Sequence, residues 1–218
     1  MRLIVGMVTL ALACSCSGIA QDWNIGVLGG FGWNRDATIR NSVISSPPAS
    51  GEAGFPSRAT VGVVVGEDLY RHWGGEIRWL FQWGGPQIEA NGVKTSISGY
   101  SNLVTYDFVV YPVRTESGLR PYLAGGAGVK AYTGTDYRLA GQQPGARLAF
   151  LRDTTEAEPA ISVGGGVKYR FARHALIRLD FRAYFTPSPD HVIRPIGSSV
   201  VHGWLFEFAP TVGISSVF

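Results

Sequence analysis

From Trp23 onward, apolar and polar side chains alternate with a period of two, not the 3.6-residue period of an amphipathic helix. In the first segment Trp23, Ile25, Val27, Phe31 and Trp33 share one face, opposite Asn24, Gly26, Gly30, Gly32 and Asn34. The second sets Ala59, Val61, Val63 and Val65 against Thr60, Gly62 and Gly66; the third sets Trp73, Ile77, Trp79, Phe81 and Trp83 against Gly74, Glu76, Arg78 and Gln82. In the fourth, Val104, Tyr106, Phe108 and Val110 alternate with Thr105, Asp107, Val109 and Tyr111. The second half repeats the scheme. Leu123, Ala127 and Val129 oppose Tyr122, Ala124, Gly126, Gly128 and Lys130, and Ile161, Val163, Val167, Tyr169 and Phe171 oppose Ser162, Gly164, Gly166, Lys168 and Arg170. Ile177, Leu179, Phe181, Ala183 and Phe185 then oppose Arg178, Asp180, Arg182 and Tyr184. Last come Trp204, Phe206, Phe208, Val212, Ile214 and Phe218 against Glu207, Thr211, Gly213 and Ser215. The pattern predicts eight strands of roughly 10–14 residues, longer than the five or six usual in soluble sheets.

The connectors alternate as well. Three are short, around Glu67–His72, Arg114–Gly118 and Ala172–His174. Four are long, polar and rich in Gly, Pro and Ser, at about Arg35–Arg58, Gly84–Asn102, Tyr132–Pro159 and Pro187–Val201. This rhythm predicts an all-β, antiparallel up-and-down meander with every long loop at one end. A soluble barrel would turn its apolar face inward, whereas a membrane barrel presents it to lipid and keeps a polar interior. The aromatic residues favour the second arrangement. Trp23, Trp33, Trp73, Trp83, Tyr169, Phe171, Phe185 and Trp204 sit near the ends of the apolar runs, where interfacial girdles belong. The opposite face lacks the dense Lys and Glu cover of a soluble surface. Only helices and closed barrels satisfy every backbone group in lipid, and no helical pattern is present. The prediction is an eight-stranded transmembrane β-barrel with four long extracellular loops and three short periplasmic turns.

With these segments in place the chain resembles the small eight-stranded outer-membrane barrels, the OmpA/OmpX/OmpW-like outer membrane protein beta-barrel domain, over residues 21–218. The resemblance is carried most specifically by Arg120-Pro121-Tyr122-Leu123-Ala124-Gly125-Gly126-Ala127-Gly128 and by the closing Val212-Gly213-Ile214-Ser215-Ser216-Val217-Phe218. It implies a location in the outer membrane of a Gram-negative bacterium and a porin-like or OmpA-like cell-envelope protein. Outer-membrane lipid and lipopolysaccharide would be its surroundings, and the barrel-assembly machinery and periplasmic chaperones its partners during biogenesis. Val212, Ile214 and Phe218 look like the assembly signal of this group, and Phe218 is equally the last lipid-facing position. By the same analogy no peptidoglycan-binding domain is expected. A monomer is expected, without cofactor or metal.

An eight-stranded barrel is just wide enough for side chains to fill. Strands one, two, five and six offer mostly Gly, Ala, Ser and Thr inward. Strands three, four, seven and eight offer Glu76, Arg78, Gln82, Asp107, Arg178, Asp180, Arg182 and Glu207. Four acids and three Arg make a nearly neutral set, and buried charges persist only when paired. A closed salt-bridge plug is the main reading of this interior; a gated path for ions or small solutes is the alternative.

The N-terminus reads as an address. Met1-Arg2, the apolar Leu3 to Ala13 and the small residues ending Gly18-Ile19-Ala20 form a secretory signal over residues 1–20. Cleavage is expected between Ala20 and Gln21, leaving a 21–218 barrel domain. Lipidation at Cys14 or Cys16 is the alternative, although Ala11 and Ala13 stand where a lipoprotein signal usually has Leu.

Composition adds exclusions. These two Cys are all the chain has, so a disulfide scaffold and a Cys-based zinc site are ruled out. The net charge is +3 and the pI about 9.0, but the Arg residues are scattered singly, which argues against nucleic acid. Gly accounts for 29 of 218 residues, a cost in ordinary strands that a narrow, crowded barrel interior would explain. Some outer-membrane barrels modify lipid A, and the deacylases of this size resemble one another in a His and a Ser two residues apart on one strand, with an acid nearby. His72, His174, His191 and His202 do not fit that pattern, and Ser198 and Ser199 fall in a loop. The reading is therefore a non-enzymatic barrel that serves envelope integrity and/or surface binding, with a lipid A-modifying enzyme as a second alternative. The loops are the candidate ligand surface, above all Arg138, Arg147 and Arg152 of the third.

Overall fold

Alternation with a period of two sends successive side chains to opposite sides of a strand, and the barrel follows from closing eight such strands on each other. The computed structural model describes residues 22–35, 37–41, 50–69, 72–90, 93–112, 118–135, 149–189, 191–195 and 199–218. Its strands are β1 (Asp22–Arg35), β2 (Ala37–Asn41), β3 (Ser50–Gly54), β4 (Arg58–Asp68), β5 (Trp73–Trp83), β6 (Gln87–Ala90), β7 (Val93–Ser96), β8 (Gly99–Val110), β9 (Leu119–Gly134), β10 (Ala149–Leu151), β11 (Thr155–Ala172), β12 (Ala175–Pro187), β13 (Ile193–Pro195), β14 (Ser199–His202) and β15 (Trp204–Val217). β1, β4, β5, β8, β9, β11, β12 and β15 form the closed antiparallel barrel, β15 pairing with β1 to seal it. The pairing followed once around runs Asn24–Gly66–Glu76–Asp107–Gly126–Ser162–Tyr184–Glu207 and returns to β1 at Asn34. That offset is the stagger that tilts the strands and sets the diameter.

The barrel is inverted relative to a soluble one. Phe108 and Leu123 on its outside are each 62% exposed, while Asp107 and Asp180 inside are 0%. All eight girdle candidates point outward. Trp23, Trp73, Tyr169 and Phe171 lie toward the short-turn end, and Trp33, Trp83, Phe185 and Trp204 toward the other. β5 runs 11 residues from Trp73 to Trp83. At ~3.3 Å per residue and a tilt of ~40° it rises roughly 25 Å, the height of the apolar band on a membrane barrel. Outward aromatics also stack on each other: Trp33 on Phe208 at 6.0 Å, Phe81 on Tyr100 at 5.5 Å. Val212, Ile214 and Phe218 face outward too, and the Phe218 amide donates to the Trp23 carbonyl at 2.9 Å, tying the end of the chain to β1.

The long connectors depart from the sequence expectation. They were expected as polar loops, yet their described parts continue as sheet. β14, β2, β3, β6 and β7 form a five-stranded sheet, and β10 pairs with β13. β11 begins at Thr155, so part of the third connector is barrel strand. Ala53, Phe55, Ile88, Ile97, Tyr132, Leu151, Val192, Ile193 and Leu205 pack into one buried cluster at this end, Phe55 stacking on Tyr132 at 4.4 Å. Apolar residues scattered over four connectors meet only when the barrel has brought the strand ends together. Residues 1–21 lie outside the described residues, and with them Cys14, Cys16 and the Ala20–Gln21 junction; so do Arg138 and Arg147.

Candidate functional site

The inward rows of β5, β12 and β8 read in a similar vertical order from the short-turn end. On β5 it is Glu76, Arg78, Leu80, Gln82; on β12 it is Arg178, Asp180, Arg182, Tyr184, Thr186. On β8, read backward, it is Asp107, Thr105, Leu103, Ser101. Charge lies low, an apolar shelf lies above it, and polar groups lie higher still.

Glu76 is the hub of the lower tier. Arg178 Nη2 donates to both of its carboxylate oxygens at 2.8 Å, and Lys168 Nζ lies 2.9 Å away. Arg182 and Arg78 approach at 3.3 and 3.4 Å. β12 lies diametrically across the barrel from β5, so the first of these contacts spans the lumen. Asp180 takes a second Arg178 bond at 2.9 Å and faces Arg78 at 3.3 Å, while Asp107 faces Arg182 at 3.5 Å and accepts from Thr105 at 3.3 Å. Small residues make this possible. A Cβ at Gly164 would lie 3.0 Å from Arg182 Cδ, and one at Gly213 would lie 3.1 Å from Arg178 Cγ.

Below the hub, the short-turn mouth is stoppered. Tyr111 donates to Asp68 at 2.7 Å and accepts from Lys168 at 2.7 Å. Arg120 bonds the other Asp68 oxygen at 2.7 Å and stacks over the Tyr111 ring at 4.0 Å. Tyr122 accepts from Arg178 at 3.1 Å. Above the hub, Leu28, Val64, Leu80, Leu103, Ala160, Tyr184 and Ala209 form a buried apolar cluster. Higher again, Lys130 pairs with Glu207, and Gln82 donates to the Gly32 carbonyl at 3.3 Å and accepts from Asn34 at 3.4 Å. The Tyr132 and Thr186 hydroxyls lie 2.6 Å apart at the outer mouth.

The eight interior residues named from sequence are all buried. Two features of that expectation need correction. The set is not one network: Gln82 stands six residues beyond Glu76 on β5, and Glu207 pairs with Tyr184, six residues beyond Arg178 on β12, so both belong to the upper tier. Nor is the base count three. Lys130 and Lys168 are 2% and 4% exposed and both ion-paired, so five bases face four acids. Their inward position was visible in the alternation; treating strands five and six as small-residue flanks hid them. Tyr111 stands on the inward face of the fourth segment by the same alternation; Asp68 and Arg120 at strand ends carried no comparable signal. Of the histidines, His72 and His174 lie near backbone carbonyls of Tyr111 and Val217 at 3.0 and 3.2 Å, and His191 lies 2.6 Å from Glu156. The side chain of His202 is outside the described residues, as is Ser198.

An eight-stranded closed barrel with its apolar face outward and charge inside matches known structures. The chain has the fold of the small outer-membrane barrels. It is similar to Neisserial surface protein A (NspA), with a TM-score of 0.56 at 9% identity, covering 92% of this chain and 100% of that one. OprG from Pseudomonas aeruginosa gives 0.52 at 17% identity, over 89% and 95%. The outer membrane protein AlkL, solved in lipid bilayers, gives 0.54 at 15% identity, over 94% of each. At these identities the likeness is one of fold. No family model matches the chain, and no curated protein does.

Proposed function

We propose that this chain is a non-enzymatic integral barrel of the bacterial outer membrane, exported by a signal cleaved after Ala20, with a closed lumen and an outer end that serves envelope integrity or surface binding. The observation that carries the reading is the layered filling of the lumen. A stoppered mouth, a cross-lumen ion-pair hub, an apolar shelf and the Lys130–Glu207 pair lie in series, so opening any one layer leaves the others in place. The eight outward aromatics act as the two interfacial girdles, and Val212, Ile214 and Phe218 as the assembly signal.

Planar-bilayer recording tests the closed lumen. The refolded, heat-modifiable protein should show no unit conductance, and Arg182→Ala should remain silent because the apolar shelf persists. Steady single-channel steps from the unsubstituted protein would overturn this reading. They would favour the second one, a gated path. Its support is that Arg78 Nε and Nη1 and Arg182 Nε are buried without a hydrogen-bond partner, groups that a passing solute would satisfy.

A further inference from the structure

On the flank of the barrel, at the level of the Trp83 girdle, a cavity of about 620 Å3 is bordered by Arg58, Trp83, Gln87, Lys94, Ser96 and Ser98. Its construction is local and specific. β5 ends at Trp83, and Gly84 turns the chain with φ +123°, a conformation that favours glycine. A side chain there would also meet Pro56 Cγ at 2.8 Å and Arg58 Cγ at 3.2 Å. Gly85 packs directly against the backbone of Ser98 and Gly99, and Gly84 donates to the Gly99 carbonyl at 3.0 Å. The β6–β7 hairpin is thereby folded back beside Trp83, which brings Lys94 to the same hollow as Arg58.

Among the described residues, neither cation is in an ion pair. The facing carboxylate is Glu89, opposite Lys94 in the β6–β7 register; it does not border the cavity, and Glu52 lies beyond it on β3. Two unpaired cations, two serine hydroxyls and one half-exposed indole suit an anion of several oxygens attached to an apolar body. The cavity lies beside Trp83, which the proposed reading assigns to the outer girdle, the level at which lipid headgroups would meet the barrel.

We infer that Arg58, Lys94 and Trp83 form a binding site for the phosphorylated headgroup of an outer-leaflet lipid. The two cations and the serines hold the phosphate, and Trp83 lies along the adjoining sugar or acyl chain. The inference rests on the reading of the barrel as membrane-inserted.

The test places the folded protein in phosphatidylcholine nanodiscs doped with bis-phosphorylated lipid A, then counts lipid A retained after transfer to detergent by native mass spectrometry. The unsubstituted protein should retain it. Arg58→Ala with Lys94→Ala should retain about tenfold less or lower, since loss of one charge-assisted bond already corresponds to about that factor. Arg58→Lys with Lys94→Arg should restore most of the retention. Lipid A stripped of phosphate should be lost from every variant. Equal retention by the double alanine variant, or of the dephosphorylated lipid, overturns the site. Complete release by millimolar inorganic phosphate also overturns it, since the pocket would then serve a soluble anion. Heat-modifiable insertion, read on the same samples, reports separately on the barrel.

Discussion

Replacing Glu76 with Gln keeps the shape of the side chain and removes the charge at which four cations converge. Arg178, Lys168, Arg182 and Arg78 would then share Asp180, Asp107 and, at the mouth, Asp68. Glu76 is 1% exposed, so solvent screens little of the loss. Removing one partner of a buried pair costs ~3–5 kcal/mol, because the remaining charges stay desolvated. With a urea slope of ~2 kcal/mol per molar, a loss of ~4 kcal/mol lowers the unfolding midpoint by about 2 M. The assay is urea unfolding of the protein folded in lipid vesicles, followed by Trp fluorescence and by heat-modifiable gel mobility. Adding Lys168→Met should return part of the loss, as expected for coupled neighbours. A midpoint shift under about 0.5 M at unchanged slope, which is about 1 kcal/mol, would refute the hub.

Other changes probe the remaining layers. Glu207→Gln should cost less than Glu76→Gln in the same urea titration, since Lys130 is its one ion-pair partner among the described residues. Leu80→Ala or Leu103→Ala should destabilise by about 2–5 kcal/mol by leaving a cavity in the apolar shelf, read as a lower urea midpoint. Gly166→Ala would put a Cβ against the Leu179 carbonyl oxygen and 2.9 Å from the Tyr122 hydroxyl, and overpacking of this kind costs ~1–3 kcal/mol or more, measurable as faster unfolding. Phe55→Ala should leave the barrel heat-modifiable while making β3 and β6 more sensitive to added protease, because the cluster loses its stack on Tyr132.

Side-chain period is a local property, and it was enough to assign nearly every barrel residue to its face. Glu76, Arg78, Asp107, Arg178, Asp180, Arg182 and Glu207 face inward, and the eight aromatics outward, as strand geometry requires. The same alternation points Lys130 and Lys168 inward, but it does not reveal their partners, which are distant in sequence. Which inward residues meet is decided by the stagger that accumulates over eight pairings and returns Asn24's row to Asn34. No single segment encodes that offset. It puts Arg178 across from Glu76 and brings Glu207 to Lys130. The outer cap has the same origin. Phe55, Ile88, Tyr132 and Leu205 are isolated apolar residues in their own stretches of chain, and they become a core only where closure of the barrel gathers the strand ends. The faces follow from covalent geometry with a period of two, which each segment carries by itself; the partners follow from closure of the sheet, because register around a closed sheet depends on every hydrogen-bonded pair at once.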